Sequence, residues 1–365
     1  MKTAVLGYGT VGFGVHEMLK SAEGLEAGPV LVRPGKEDAD FKVSSIEAIT
    51  QDDSIGAVAE VLGGIEPAYT YACAALKAGK HFVTSNKALV SEKGPELAAL
   101  AEENGVAFLF SAACGGGVPF LHNISLAADS DEFQTVGGIL NGTTNYMLDA
   151  MQRRGLDYAA ALADAQKLGY AEADPTADVT GLDALRKIML ACAVAFNELP
   201  VDGLCNEGID SFTADDVRYL KSQGLTCRLV VSGGKGDNGS LYAYVEPVVF
   251  GASAPECSVL NNFNMARYQA KCAGPIVLMG QGAGRWPTAS AVLRDLSDIV
   301  AGRRKMMNSS CQRVTADNSA CRHDYLLRVD GEYSRTGVIS VKEMHEKAAG
   351  LRAEGKKVFF AAIGE

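Results

Sequence analysis

The chain has 365 residues, 47% of them hydrophobic and 21% charged, with a net charge of −10. That length suits two domains and that composition a globular protein in water. The acidic balance argues against nucleic acid or an anionic membrane as partner, though not against an anionic cofactor met by local cations. No apolar run reaches the length of a membrane span, and Met1 leads straight into a strand-like segment with no signal peptide. Nine scattered cysteines without a CxxC pair read as reduced thiols of a cytoplasmic enzyme, and five dispersed histidines show no metal-ligand spacing.

Lys2–Leu6 reads as a short apolar strand. It runs into Gly7-Tyr8-Gly9-Thr10-Val11-Gly12 and then a helix over Phe13–Ala22. Strand, GxGxxG and helix in that order form a dinucleotide-binding fingerprint. Its glycines allow a tight turn and close approach of a pyrophosphate, and the helix N-terminus supplies donors. The second strand is predicted at Pro29–Val32. An acidic ligand for the ribose hydroxyls of NAD would stand just after it; instead there is Arg33, with Lys36 close by. A guanidinium suits a 2′-phosphate, so NADP is favoured over NAD. A solvated surface pair is the plainer alternative.

Further α/β units follow. Strands are predicted at Ala57–Leu62, ending in Gly63-Gly64, at His81–Thr84, ending in Ser85-Asn86-Lys87, and at Val106–Phe110. Helices are predicted at Pro67–Ala78 and near Pro95–Asn104. In open α/β sheets ligands sit beyond the carboxyl ends of the strands, where Gly63 and Lys87 are both placed. Lys87 is therefore a candidate for cofactor or substrate contact, or simply a helix-start residue. Cys114-Gly115-Gly116-Gly117-Val118-Pro119 is a glycine-rich turn before a helix: a domain crossover, or a loop whose carbonyls hold a cation. Cys114 has no local His to activate it.

From about Val136 the character changes. A strand at Val136–Leu140 is followed by the polar turn Asn141-Gly142-Thr143-Thr144-Asn145 and a helix over Tyr146–Arg154. Such a cluster caps a helix or presents donors to a polar substrate. A helix over Asp157–Leu168 leads to LGYAEADPTADVTGLDALRK (168–187), which places Glu172, Asp174, Asp178, Asp183 and Lys187 within sixteen residues, ahead of the apolar run IMLACAVAF. Asp183 and Lys187 share one helical face with Leu190, Ala191 and Val194, so that face points inward. A buried Lys and Asp are costly unless paired and used. Strand-like runs at Cys227–Ser232, Leu241–Val249 and Ile276–Met279 complete a second, sheet-containing domain. Gly280-Gln281-Gly282-Ala283-Gly284 ends it, and a helix over 287–303 should return to the first domain. The tail from Lys305 carries predicted strands at Asp324–Val329 and Val358–Ile363 around a helix at Val341–Leu351.

Over about residues 1–303 the chain resembles the homoserine dehydrogenases. The resemblance rests on GYGTVG, GKHFVTSNKAL (79–89), GGILNGTTNYML (137–148), the 168–187 segment and GQGAGRWPTASAVLRD (280–295). It implies an α/β protein with a Rossmann nucleotide-binding domain over 1–135, completed by helix 287–303. A central α+β substrate and dimerisation domain would cover 136–286, with a short α/β appendage at 305–365. The implied reaction is reversible hydride transfer between L-homoserine and L-aspartate 4-semialdehyde with NAD(P), in threonine, methionine and isoleucine biosynthesis, by a homodimer or higher oligomer. By position, Lys187 would transfer the proton, Lys87 would be its partner near substrate and nicotinamide, Glu172 and Asp183 would contact substrate, and Asp178 would support the site. Gly7, Gly9, Thr10, Val11, Gly12, Arg33, Gly63, Lys87 and Gly284 would serve the cofactor. The carbonyls of Ser111, Cys114, Gly116 and Val118 would hold a monovalent cation, Na or K; family members usually have Glu at the position of Ser111.

The tail resembles the start of an ACT regulatory domain but is shorter than a complete one. It is expected to dock as a structural appendage without strong threonine inhibition. Two other readings compete: another NAD(P)-dependent amino-acid semialdehyde reductase, and a cofactor-binding regulatory protein without turnover. The set Glu172, Asp183, Lys187 and Lys87 argues against the second.

Overall fold

The computed structural model describes residues 1–364. In chain order its first part carries β1 (Lys2–Leu6), α1 (Thr10–Leu19), β2 (Glu26–Leu31), β3 (Lys42–Val43), α2 (Glu47–Thr50), β4 (Ile55–Glu60), α3 (Ala68–Lys77), β5 (His81–Thr84), α4 (Lys87–Glu103), β6 (Phe108–Leu109) and α5 (Phe120–Ala127). Then come β7 (Phe133–Ile139), α6 (Gly142–Arg154), α7 (Tyr158–Lys167), α8 (Thr176–Val179), α9 (Leu182–Phe196), β8 (Glu198–Asp202), β9 (Cys205–Asn206), α10 (Ala214–Ser222), β10 (Leu225–Lys235), β11 (Leu241–Gly251), β12 (Phe263–Ala270) and β13 (Gly274–Gln281). The chain ends with α11 (Arg285–Val300), β14 (Gln312–Thr315), β15 (Arg322–Val329), β16 (Glu332–Ser340), α12 (Val341–Ala353) and β17 (Val358–Ile363). Two compact units result: residues 1–130, 193–199 and 281–312, and residues 131–192, 200–280 and 313 onward.

The first unit is a parallel sheet in the order β3-β2-β1-β4-β5-β6. This is the strand order of the Rossmann fold, whose ligand crevice lies where the order reverses, between β1 and β4. Thr3 to Leu6 of β1 are all fully buried, as suits a strand covered on both faces. Helix α11 packs on α1 within the same unit. The helix after the fingerprint starts at Thr10 rather than Phe13, so Thr10, Val11 and Gly12 form its first turn. Strand β2 begins three residues before Pro29, because Lys2 pairs with Glu26. Helix α4 starts at Lys87, not near Pro95: the Asn86 side chain accepts from Leu89 N at 3.1 Å and sets the start two turns earlier, with Pro95 inside the helix.

The second unit is built on a mixed sheet ordered β13-β12-β7-β10-β11-β17-β15-β16, with β9 also pairing β11. The tail, expected as an appendage, supplies three of these strands. Strand β17 runs parallel to β11 (Val248↔Ala362) and antiparallel to β15. Tyr325, Leu327, Met344, Val358 and Phe360 share one core with Ile139, Val230, Val248, Phe250 and Met265. Leu326 is also buried, and Val329 is partly buried against that core. The tail needs no independent core because it completes an existing one.

Phe360 is fully buried at this junction. Phe360→Ala is expected to lower the unfolding free energy by about 3–5 kcal/mol, measured by denaturant titration. A loss under about 1 kcal/mol would mean that the tail contributes little to the second unit's stability.

Candidate active site

In the first unit, a cleft of about 650 Å³ opens at the carboxyl ends of the strands, lined by Gly7, Gly9, Arg33, Lys36, Val61 and Gly63 among others. Its floor depends on two glycines. Gly7 has φ +101°, and a Cβ on Gly12 would stand 2.0 Å from the Gly7 carbonyl oxygen, so only glycine lets α1 begin this close to β1. Arg33 is exposed at the cleft, two residues beyond β2. Lys42 is ion-paired with Asp38 on the same wall, its ammonium 4.7 Å from the Tyr8 ring centroid. Gly284 is the residue before α11, with φ +118°. Lys87 is half-buried at the first position of α4.

In the second unit, the acidic segment folds as the short helix α8, a turn at Gly181 (φ +85°), and α9. Lys187 is 8% exposed, and Leu190, Ala191 and Val194 continue its inward face. Its Nζ donates to the Leu140 carbonyl at 2.6 Å and pairs with Asp183 Oδ2 at 2.7 Å. Asn141 joins the group. Its Nδ2 donates to Asp178 Oδ1 (2.7 Å) and to Asp183 Oδ2 (2.9 Å), while its Oδ1 accepts from Thr144 N (2.8 Å) and caps α6. Burial pushes the Asp178 carboxyl above its ordinary range; the Asn141 donor opposes that and the neighbouring Asp183 charge adds to it. The arrangement holds one ammonium and two carboxylates in a partly desolvated corner, suited to bind a cationic group and move a proton.

The structure thus brings Asp178, Asp183 and Lys187 together. Glu172 lies on an exposed loop before α8, its backbone carbonyl accepting from Gln166 Nε2 at 3.1 Å. Its assignment to the substrate therefore has no support from burial. The loop carrying Ser111, Cys114, Gly116 and Val118 is a buried double turn. Ser111 O accepts from Cys114 N (3.4 Å) and Val118 O from Phe120 N (2.8 Å). Gly115 and Gly116 both have positive φ. Ser111 donates through its N–H (2.8 Å) and hydroxyl to Asp295, a fully buried carboxyl pushed up to about 7 by desolvation. Near it His122 Nδ1 stands 3.1 Å from Asp298 Oδ2, a grouping that no linear spacing announces.

Asn141 was legible only as a member of a polar turn, without its link to the aspartates. The signal was there: an Asn directly after a strand and ahead of a helix. Nothing in the linear order could show that its second face would meet a segment some forty residues on.

A Rossmann unit with a dinucleotide cleft and a second unit with a buried lysine–carboxylate cluster define an NAD(P)-dependent oxidoreductase. Residues 7–111 match the family model for the homoserine dehydrogenase NAD-binding domain, and residues 119–297 the model for homoserine dehydrogenase. The chain is 36% identical to a homoserine dehydrogenase from Synechocystis over 90% of its length and 79% of that protein. It is 37% identical to one from Corynebacterium glutamicum over 92% of its length and 81% of that protein. A crystal structure of a homoserine dehydrogenase from Thiobacillus denitrificans superposes with a TM-score of 0.87 at 27% identity, covering 100% of this chain and 98% of that one. The chain belongs to the homoserine dehydrogenase family, an amino-acid biosynthesis oxidoreductase.

Asn141→Ala should cost about 2–4 kcal/mol of stability near neutral pH, combining a lost helix cap with lost hydrogen bonds to charged groups. Without its donor the Asp178 pKa rises further in the folded state. A raised carboxyl favours folding only while protonated, so the deficit against wild type should grow as pH rises from about 4. Denaturant titrations at pH 4.5 and 8 decide this; a deficit constant with pH would mean that Asn141 does not hold the carboxylate.

Proposed function

We propose that Lys187 is the proton-transfer residue of the homoserine dehydrogenase reaction. The observation that carries this is its buried ammonium, held between the Leu140 carbonyl and Asp183. Bound NAD(P) supplies the hydride donor or acceptor. The Lys187 ammonium delivers a proton to the semialdehyde oxygen as that oxygen becomes an alkoxide, and in the opposite direction the neutral amine takes the proton from the homoserine hydroxyl. Asp183 and Asp178 offer negative charge to the substrate ammonium, and Asn141 keeps both carboxylates oriented. Lys87 serves as a second lysine for substrate and cofactor, supported by its place at the carboxyl end of β5. Glu172 belongs to this reading on family resemblance alone.

NADP is the favoured cofactor. Arg33, exposed at the cleft beyond β2, and Lys36 beside it support this. A sodium or potassium ion at the carbonyls of Ser111, Cys114, Gly116 and Val118 is part of the same proposal; the buried Asp295 behind Ser111 brings to that loop the carboxylate that Ser111 lacks. The working form is a homodimer or larger. In support, edge strand β13 exposes Val277 (49%) and Met279 (52%), apolar surface of the kind a second copy covers. Nine free thiols suit a cytoplasmic setting.

Two measurements test the core of this. In a spectrophotometric assay of homoserine oxidation at high pH, Lys187→Ala should cut kcat by roughly 100-fold or more, as loss of a general acid–base does, with cofactor affinity retained. Near-normal turnover sinks the assignment. Arg33→Ala should weaken NADP binding by about 1.5–3 kcal/mol and leave NAD little changed. Equal losses would show that Arg33 does not read the 2′-phosphate.

A further inference from the structure

Glu60 is the last residue of β4 and is fully buried, the one buried acid in the six strands of this sheet. A carboxylate there is costly unless its oxygens are satisfied. Oε1 accepts from Leu62 N (2.6 Å) and Gly63 N (3.4 Å), the backbone of the turn that lines the dinucleotide cleft. Oε2 accepts from the Thr84 hydroxyl (2.5 Å) at the end of β5. Thr84 Oγ1 in turn accepts from Asn86 N at 2.9 Å, and Asn86 caps α4, whose first residue is Lys87. The Asn86 amide also donates to the Gly64 carbonyl, closing the ring between the two turns. These partners are neutral donors, and each uses its hydrogen on Glu60. Burial raises the carboxyl's pKa while the Thr84, Leu62 and Gly63 donors oppose the rise.

We infer that Glu60 is a positioning residue that sets the cofactor turn and the start of the Lys87 helix in one frame. The Lys87 half of this rests on the proposed role of Lys87; the cofactor half does not. Oε1 accepts from the Leu62–Gly63 turn and Oε2 from Thr84, which leads to Asn86 and the start of the Lys87 helix; the Asn86 side chain stands by the same carboxylate and bonds Gly64. Glutamine can meet both sides, its oxygen accepting from Leu62 N and Gly63 N and its NH₂ donating to the Thr84 hydroxyl, whereas alanine leaves every one of these groups unmet.

The test uses three variants of the full-length protein, with NADP affinity measured by calorimetry and kcat with homoserine. Thr84→Val keeps the side-chain shape and cuts only the Oε2 route. It should lower kcat about tenfold or more, since slight misplacement of a reacting group costs that much, and leave the NADP Kd within about twofold. Glu60→Ala, which removes both acceptors, should do both, lowering kcat and weakening NADP about tenfold or more, and Glu60→Gln should recover most of each loss. A purely structural Glu60 would lower the melting temperature of each variant while kcat and Kd stayed at wild-type values, and that result overturns the inference. If Glu60→Ala does not fold, the Thr84→Val split still decides: unchanged kcat refutes the link to Lys87. If Lys87→Ala proves fully active, the Lys87 role falls, while the Kd of Glu60→Ala continues to decide whether Glu60 holds the cofactor turn.

Discussion

The Asn141 carboxamide is the joint on which the second unit's buried polar cluster depends. Its oxygen accepts from Thr144 N, one of the orphan donors at the start of α6, and its nitrogen binds Asp178 and Asp183, two carboxylates that would otherwise repel. Because an amide is donor and acceptor at opposite ends, it ties a helix start to an acidic pair without adding charge. Lys187 then neutralises Asp183 and takes up the carbonyl of Leu140, the residue just before Asn141. Four side chains and one carbonyl satisfy one another in a small volume. This is how a lysine only 8% exposed is tolerated there.

The first unit repeats the device with other residues. At the end of β5 an asparagine again caps the helix that follows, and again a buried carboxylate, Glu60, sits within reach of the junction. In both units a lysine stands next to the cap: Lys87 follows Asn86 directly, and Lys187 is bonded to the residue before Asn141. A cap fixes the backbone at the first helical turn to within a hydrogen bond's tolerance. A side chain anchored there is placed more firmly than one on an open loop.

The elements legible in the sequence were those whose pattern is local. Strands such as Lys2–Leu6 and His81–Thr84 are short apolar runs closed by turn residues, and they appear at those bounds. The inward face of α9 follows from 3.6-residue spacing, and the structure buries it. Strand β12 alternates over Ala266–Ala270, with Arg267 and Gln269 on the more open face, but buried Asn264 and the Met265–Ala266 pair break the pattern at its start, and pairing with β7 extends the strand through them. Strand β16 could have been found. Asp330-Gly331 joins it to β15 in a two-residue turn with φ +50° and +96°, and an Asp-Gly pair between strand-like runs is a strong short-range hairpin signal.

The tail shows why length alone misleads. Judged as a separate body, the segment after β14 is too small to bury its own apolar surface. The same residues in register with β11 gain a finished sheet on one side, and α12 then packs its Met344 into the core that holds Phe360 and Tyr325. Polar anchors set the same register: buried Glu246 on β11 accepts from the Tyr325 hydroxyl at 3.2 Å, and buried Arg328 on β15 pairs with Asp216 of α10. Two buried charges would be a poor way to stabilise a loosely docked appendage, since each must be fully met to offset its desolvation. They suit a segment whose position is unique, because a shift of one residue along β11 would leave both unmet and turn every side chain to the wrong face.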